Sequence, residues 1–95
     1  MADIHFIRKH GFPPKKARAA TEQIAVKLAA EFSLSYEWAG NVLNFSRSGV
    51  SGHIEVHKKD IEIHVKLGFL LGALKGRIER EMRRFCDENF GPESP

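Results

Sequence analysis

Residues 36–79 read YEWAGNVLNFSRSGVSGHIEVHKKDIEIHVKLGFLLGALKGRIE, and through four short segments of that stretch an apolar residue recurs at every second position. After Gly68 the apolar spacing changes to three and four. Alternation marks a strand with one buried face, and the longer spacing marks a helix with one buried stripe. The stretch therefore reads as four strands followed by a helix. A two-residue hairpin turn at Gly40-Asn41 sets Trp38 opposite Leu43 and Tyr36 opposite Phe45. A loop over Ser48 to Ser51 sets Phe45 opposite Ile54 and Leu43 opposite Val56. A loop over His57 to Asp60 sets Val56 opposite Ile61 and Ile54 opposite Ile63. The expected rows are Trp38, Leu43, Val56 and Ile61, and beside them Tyr36, Phe45, Ile54 and Ile63. The other face, made of Ser35, Glu37, Asn44, Ser46, His53, Glu55, Glu62, His64 and Lys66, is wholly polar, so one side of an antiparallel meander is covered and the other is wet.

Outward from this stretch, Asp3 to Arg8 reads as a first strand, with Ile4 and Phe6 on one face and His5 and Ile7 on the other. Gly11-Phe12-Pro13-Pro14 breaks the chain, and a helix is expected from about Pro14, because proline suits a first helical position. Its stripe is Ala17, Ala20, Ile24, Leu28 and Phe32, with the charged residues pointing elsewhere. The second helix carries Leu71, Leu74, Ile78, Met82 and Phe85 and stops before Gly91-Pro92. The fold class is α+β: an antiparallel sheet of about five strands with two helices on one face, in the order β-α-β-β-β-β-α, like a shortened helix-grip domain. One domain is expected over 1–90, with a short tail over 91–95.

A chain of 95 residues has room for one core, and a domain of that size buries roughly 60 to 65% of its unfolded surface, so a large cavity would be costly. A single cysteine, Cys86, excludes an internal disulfide, and the opening Met1 to His5 lacks the layout of a signal peptide. A cytoplasmic location is expected. The longest apolar run, Leu67 to Leu74, is far short of the roughly 20 residues that span a bilayer. Fifteen Lys and Arg against twelve Asp and Glu give a net charge of +3 with no long basic block, which points away from nucleic acid as a partner.

Few constellations carry chemistry. His53 and His64 are cross-strand neighbours in this register, and His5 joins them if the first strand adds beside the last. Three imidazoles can ligate zinc, but no carboxylate is placed to orient them, so neither a metal site nor a cofactor is expected. Glu55 and Glu62 face each other, with Glu37 in the same row, as a solvated charge row whose exposure removes the pKa splitting that acid and base work needs. Ser48 or Ser51 with His53 is the only local nucleophile and base, and its context is a hairpin. Ser48 to Gly52 lacks the features of a phosphate loop. Cys86 reads as packing. Gly68, Gly72 and Gly76, with Ala73, imply a close backbone approach to the sheet or the first helix. The last helix alternates Lys75, Arg77, Arg80, Arg83 and Arg84 with acidic residues, as a solvated face does. Phe69, Leu70 and Leu71 exceed what one helical stripe requires, so they either fill the core, the expected outcome for large apolar residues, or form a surface patch.

Phe45-Ser46-Arg47-Ser48-Gly49-Val50-Ser51-Gly52, followed by Val65-Lys66-Leu67-Gly68-Phe69-Leu70-Leu71-Gly72-Ala73-Leu74-Lys75-Gly76-Arg77-Ile78-Glu79, resembles the small bacterial family of polyhydroxyalkanoic acid system proteins. Met1 to His5, the helix Ala17 to Phe32, Tyr36 and Trp38 also fit, so the likeness covers nearly the whole chain. The resemblance implies a role in making, storing or mobilising polyhydroxyalkanoate, the bacterial polyester held in cytoplasmic granules, and brings no catalytic residues with it. The function expected on that ground is a non-enzymatic accessory protein. Its partner would be the polyester granule or a granule-bound protein, met through Phe69, Leu70, Leu71, Lys75, Arg77, Arg80 and Arg84, and there is room for a homodimer. The alternatives are a small carrier of apolar ligands, by analogy with helix-grip domains, and an enzyme acting on hydroxyacyl esters.

Overall fold

The computed structural model describes residues 2–91. Strand β1 (Ala2–Lys9) is followed by helix α1 (Pro14–Phe32), strands β2 (Ser35–Ala39), β3 (Val42–Arg47), β4 (Val50–Val56) and β5 (Asp60–Leu67), a short 3₁₀ helix (Phe69–Leu74) and helix α2 (Lys75–Phe90). The five strands form one antiparallel sheet in the order β1-β5-β4-β3-β2, so the first strand closes beside the last. This is the expected α+β order. Of the tail over 91–95, residues 92–95 lie outside the described residues.

Local chemistry sets the ends of α1. Pro14 takes the first helical position, and Ser33 ends the helix in the left-handed conformation at φ 58°. The buried stripe includes Thr21 and Ala25 as well as Ala17, Ile24, Leu28 and Phe32, and the Thr21 hydroxyl donates to the Ala17 carbonyl at 2.9 Å. Helix α2 begins at Lys75, later than the apolar spacing implied, because Phe69 to Leu74 winds as a 3₁₀ helix first. The glycine spacing also plays a smaller part than expected. Gly68 lies against Gly49, where an added Cβ would sit 3.4 Å from the Gly49 carbonyl oxygen, but Gly76 has open space around it.

Two hairpins have the expected register: Trp38 faces Leu43 and Tyr36 faces Phe45, and Val56 faces Ile61 and Ile54 faces Ile63. The middle hairpin differs. Leu43 faces Ile54 and Phe45 faces Gly52, a shift of two residues from the expected pairs. The cause is the turn, which is the two-residue Ser48-Gly49 with Gly49 at φ 85°, where only glycine is at ease, in place of a four-residue loop. A shift of two preserves the face of every side chain. The rows therefore change membership. Trp38, Leu43, Ile54 and Ile63 run on to Phe6 of β1, and Tyr36, Phe45, Gly52 and Val65 run on to Ile4.

Both helices cover the apolar side of this sheet. Ile24, Leu28, Ile78, Met82 and Phe85 pack onto Leu43, Ile54, Ile61, Ile63 and Val65 in one core, where each large side chain contributes about 1.5 to 3 kcal/mol by leaving water. Lys27 with Glu88 at 2.6 Å and Glu31 with Arg77 at 2.8 Å tie α1 to α2. Strand parity also turns Arg8 inward behind Ile4 and Phe6. Its guanidinium is buried and donates to Asp87 at 2.6 Å and to the Gly91 carbonyl, closing the end of α2 onto the edge of the sheet.

Candidate functional site

The end of the sheet where β5 leaves for α2 presents the residues that the sequence marks as an interaction surface. The chain turns at Gly68, whose amide donates to the Gly49 carbonyl at 2.8 Å. The 3₁₀ helix then runs across that end of the core. Leu71 and Leu74 pack inward, and a Cβ on Gly49 would come within 2.7 Å of the Leu71 side chain, so the glycine of the β3–β4 turn makes the seat for Leu71. Phe69 does the opposite: it is 86% exposed, the most exposed large apolar side chain among the described residues. Of the two outcomes open to this segment, Phe69 takes the surface one and Leu71, expected with it on the interaction surface, takes the core one, because a 3₁₀ helix of this length points only some of its side chains at the core and Leu71 and Leu74 take that side. The side chain of Leu70 lies outside the described residues.

The cations expected beside this patch are all exposed but not equally available. Arg77 pairs with Glu31 and stacks over Phe32, and Arg84 pairs with Glu81 at 2.6 Å and stacks over Phe85. Among the described residues, Lys75 and Arg80 have no carboxylate within 4 Å. Arg77, Arg80 and Arg84 recur at three and four and so share one helical face. Exposed pairs such as Arg84 with Glu81 are worth at most about 1 kcal/mol, so they exchange readily for another anion.

Behind the 3₁₀ helix, the apolar space among Leu28, Phe32, Phe45, Val65, Leu74 and Met82 amounts to about 20 Å³. Pockets for drug-sized ligands begin near 300 Å³, roughly, so this space is a packing gap. Among the described residues, this gap under the 3₁₀ helix falls far short of the volume that a carrier of apolar ligands needs.

On the helix-free face the three histidines align as expected: His5 faces His64 and His64 faces His53, with ring centroids 5.1 and 5.5 Å apart. The absence of an orienting carboxylate is a misreading. Glu62 Oε2 accepts from His5 Nε2 at 2.6 Å, and this bond, more than the charges of His5 and His57, holds the Glu62 carboxyl below the usual carboxylate range. Glu55 does face Glu62, but Glu37 falls in the row of Asn44 and His53, a consequence of the shifted middle hairpin. His57, read from sequence as loop, continues the face of His53 and Glu55, with its Nε2 3.4 Å from Glu55 Oε2. Ser48 lies in the turn and Ser51 pairs with Ser46 and Lys66, and among the described residues no hydrogen bond joins either serine to His53.

A third cluster was not foreseen. Glu22 of α1 accepts from Tyr36 Oη and Trp38 Nε1, both at 2.5 Å, while Arg18 stacks 3.9 Å over the Trp38 ring and donates to the Gly40 carbonyl at 2.7 Å. The two donors, the Tyr36 hydroxyl foremost, lower the Glu22 pKa, and the carboxylate raises that of Tyr36. This clasp fastens the outer strand β2 to α1, and its role is structural. The sequence signal was faint: Arg18 and Glu22 sit four apart on the flank of the buried stripe, facing an aromatic edge strand.

Among the described residues no helix is long and apolar enough to cross a membrane. The family model described as Putative polyhydroxyalkanoic acid system protein matches residues 4–90, nearly the whole chain. No curated protein and no solved structure matches it.

Proposed function

The chain belongs to the polyhydroxyalkanoic acid system protein family, and we propose that it serves that system as a non-enzymatic accessory protein that docks on the polyester granule through Phe69 and the cations that follow it. The observation that carries this reading is the exposure of Phe69, 86%, on a segment whose neighbours Leu71 and Leu74 are anchored in the core. A phenyl ring held in water by a fixed backbone gains about 1.5 to 3 kcal/mol when an apolar phase covers it, and little ordering entropy opposes that gain because the segment is already seated. Lys75 and Arg80 add attraction to chain-end carboxylates or to other anions at a granule surface.

Separated serines and an imidazole with no hydrogen bond between them support a binding role over hydroxyacyl-ester chemistry. The test is co-sedimentation with native granules and with protein-free polyester particles. Wild-type protein is expected to sediment with both, Phe69→Ser with neither, and Arg80→Ser with reduced and less salt-sensitive retention, because the screened part of the attraction is removed. Retention of Phe69→Ser at the wild-type level would refute the docking surface. Sedimentation with native granules alone would assign the partner to a granule-bound protein.

A further inference from the structure

Glu55 and Glu62 stand directly opposite each other on β4 and β5, two strands flanked on both sides within the sheet. Like charges in that relation repel, and a nearby cation relieves the repulsion. Imidazoles surround the pair. Glu62 gives Oε2 to His5 at 2.6 Å and turns Oε1 toward His57, 3.7 Å away. Glu55 has Oε1 3.9 Å from His53 Nε2 and Oε2 3.4 Å from His57 Nε2. Each carboxylate thus has a histidine on its outer oxygen and shares His57 on its inner one.

The three inner atoms, one imidazole nitrogen and two carboxylate oxygens, all lie within 4.8 Å of one another. Spacings of 3.4 and 3.7 Å are longer than good hydrogen bonds. They are close to the edge of a tetrahedron, about 3.4 Å, around an ion bonded at about 2.0 to 2.2 Å. We propose that Glu55, His57 and Glu62 bind one divalent cation of the zinc type, with His5 as the positioning residue that orients Glu62.

The backbone supports this geometry. His57 follows the last residue of β4, and its amide donates to the Asp60 carbonyl at 2.8 Å, which fixes the turn that carries the ring. The nitrogen donor favours zinc or a similar transition ion over magnesium or calcium, which take oxygen ligands. Three protein ligands on a half-exposed face leave the fourth position to water. His64 lies between the rings of His5 and His53 and takes no part as a ligand. The site departs from the sequence expectation of no metal by one step along each strand. It does not rest on the docking surface.

The probe is Zn²⁺, titrated calorimetrically into the whole chain at neutral pH in a non-chelating buffer. One zinc per chain is expected at micromolar affinity, unmoved by excess Mg²⁺. His57→Ala and Glu62→Gln should weaken it by at least tenfold, and His5→Ala by about tenfold or more as the loss of an orienting partner does. His64→Ala should leave it unchanged. Zinc should raise the melting temperature of wild type and of His64→Ala but not of His57→Ala, with far-UV circular dichroism showing that each variant folds. No binding, binding that persists in His57→Ala, or binding lost in His64→Ala but kept in His57→Ala would overturn the proposal, the last by assigning the ion to the histidine row.

Discussion

The ring of Phe45 lies across Gly52 of the neighbouring strand, so close that a Cβ on residue 52 would stand 2.7 Å from ring carbon Cζ and 2.7 Å from the His64 carbonyl oxygen. Gly52→Ala therefore forces the ring or the backbone of β5 to move. A loss of about 1 to 3 kcal/mol is expected, the usual cost of overpacking, read as a lower urea midpoint with an unchanged slope. Phe45→Ala leaves a cavity in the same place and should cost about 3 to 5 kcal/mol. The double variant should lose less than the sum, because both changes act on one contact.

The clasp of Glu22 with Tyr36 and Trp38 makes the stability gained from Glu22 depend on pH from both sides. The folded Glu22 pKa lies below its ordinary value of 4.5, so its contribution is present above that value and is lost as pH falls through the lowered folded pKa. The folded Tyr36 pKa lies above 10.0, so its contribution is present below that value and is lost as pH rises through the raised one. Glu22→Ala should cost about 1 kcal/mol at neutral pH, a charged hydrogen bond discounted for partial exposure. The difference from wild type should shrink at both ends of the pH range, as followed by denaturant unfolding with the fluorescence of Trp38, the single tryptophan. A difference that stays constant from acid to alkali would disprove the clasp.

Arg8 joins β1 to the end of α2. Arg8→Ala removes the buried guanidinium that holds Asp87 and the Gly91 carbonyl, and a loss of about 2 to 3 kcal/mol is expected, below the full cost of breaking a buried pair because Asp87 is half exposed. Hydrogen exchange should quicken most in the last turn of α2, near Phe85 to Phe90.

Phe69→Ser should leave the urea midpoint unchanged to within about 0.5 kcal/mol, as surface substitutions do. Leu71→Ser, seated in the core beside Gly49, should destabilise clearly. That contrast separates the side chain offered to a partner from the one that holds the segment.

Most of the fold was legible because parity is robust. The alternation through Trp38, Leu43, Ile54 and Ile63 assigns a face whatever the turn lengths, provided each slip is even. Row membership was not legible for the same reason: Ser48-Gly49 as a two-residue turn and Ser48 to Ser51 as a loop differ by an even slip, and hydrophobicity cannot tell them apart. The fit of the Phe45 ring over Gly52 separates them, and that is a matter of shape. Phe69 and Leu71 could not be told apart in the sequence, because apolarity says nothing of direction in a short 3₁₀ segment: one is exposed and the other packs against the core. Glu55, Glu62 and His57 were each visible, but their convergence depends on the side chains at the β4–β5 turn, which spacing alone does not place.

The 3₁₀ helix has no side-chain cap and leans on a single glycine turn through the Gly68 amide and the Leu71 seat. Its hold on the molecule is thus much weaker than that of the strands on either side, whose ladders continue without it. Among the described residues, opening there releases Leu71, Leu74 and the hydrogen bond from Gly68 to Gly49, so it should occur at a free energy below that of global unfolding. The end of the protein that displays Phe69 is in this sense a hatch, seated when closed: lifting it would uncover the core residues Phe45, Val65 and Met82 while the sheet stays closed, and an apolar surface that received the first ring would find more to hold.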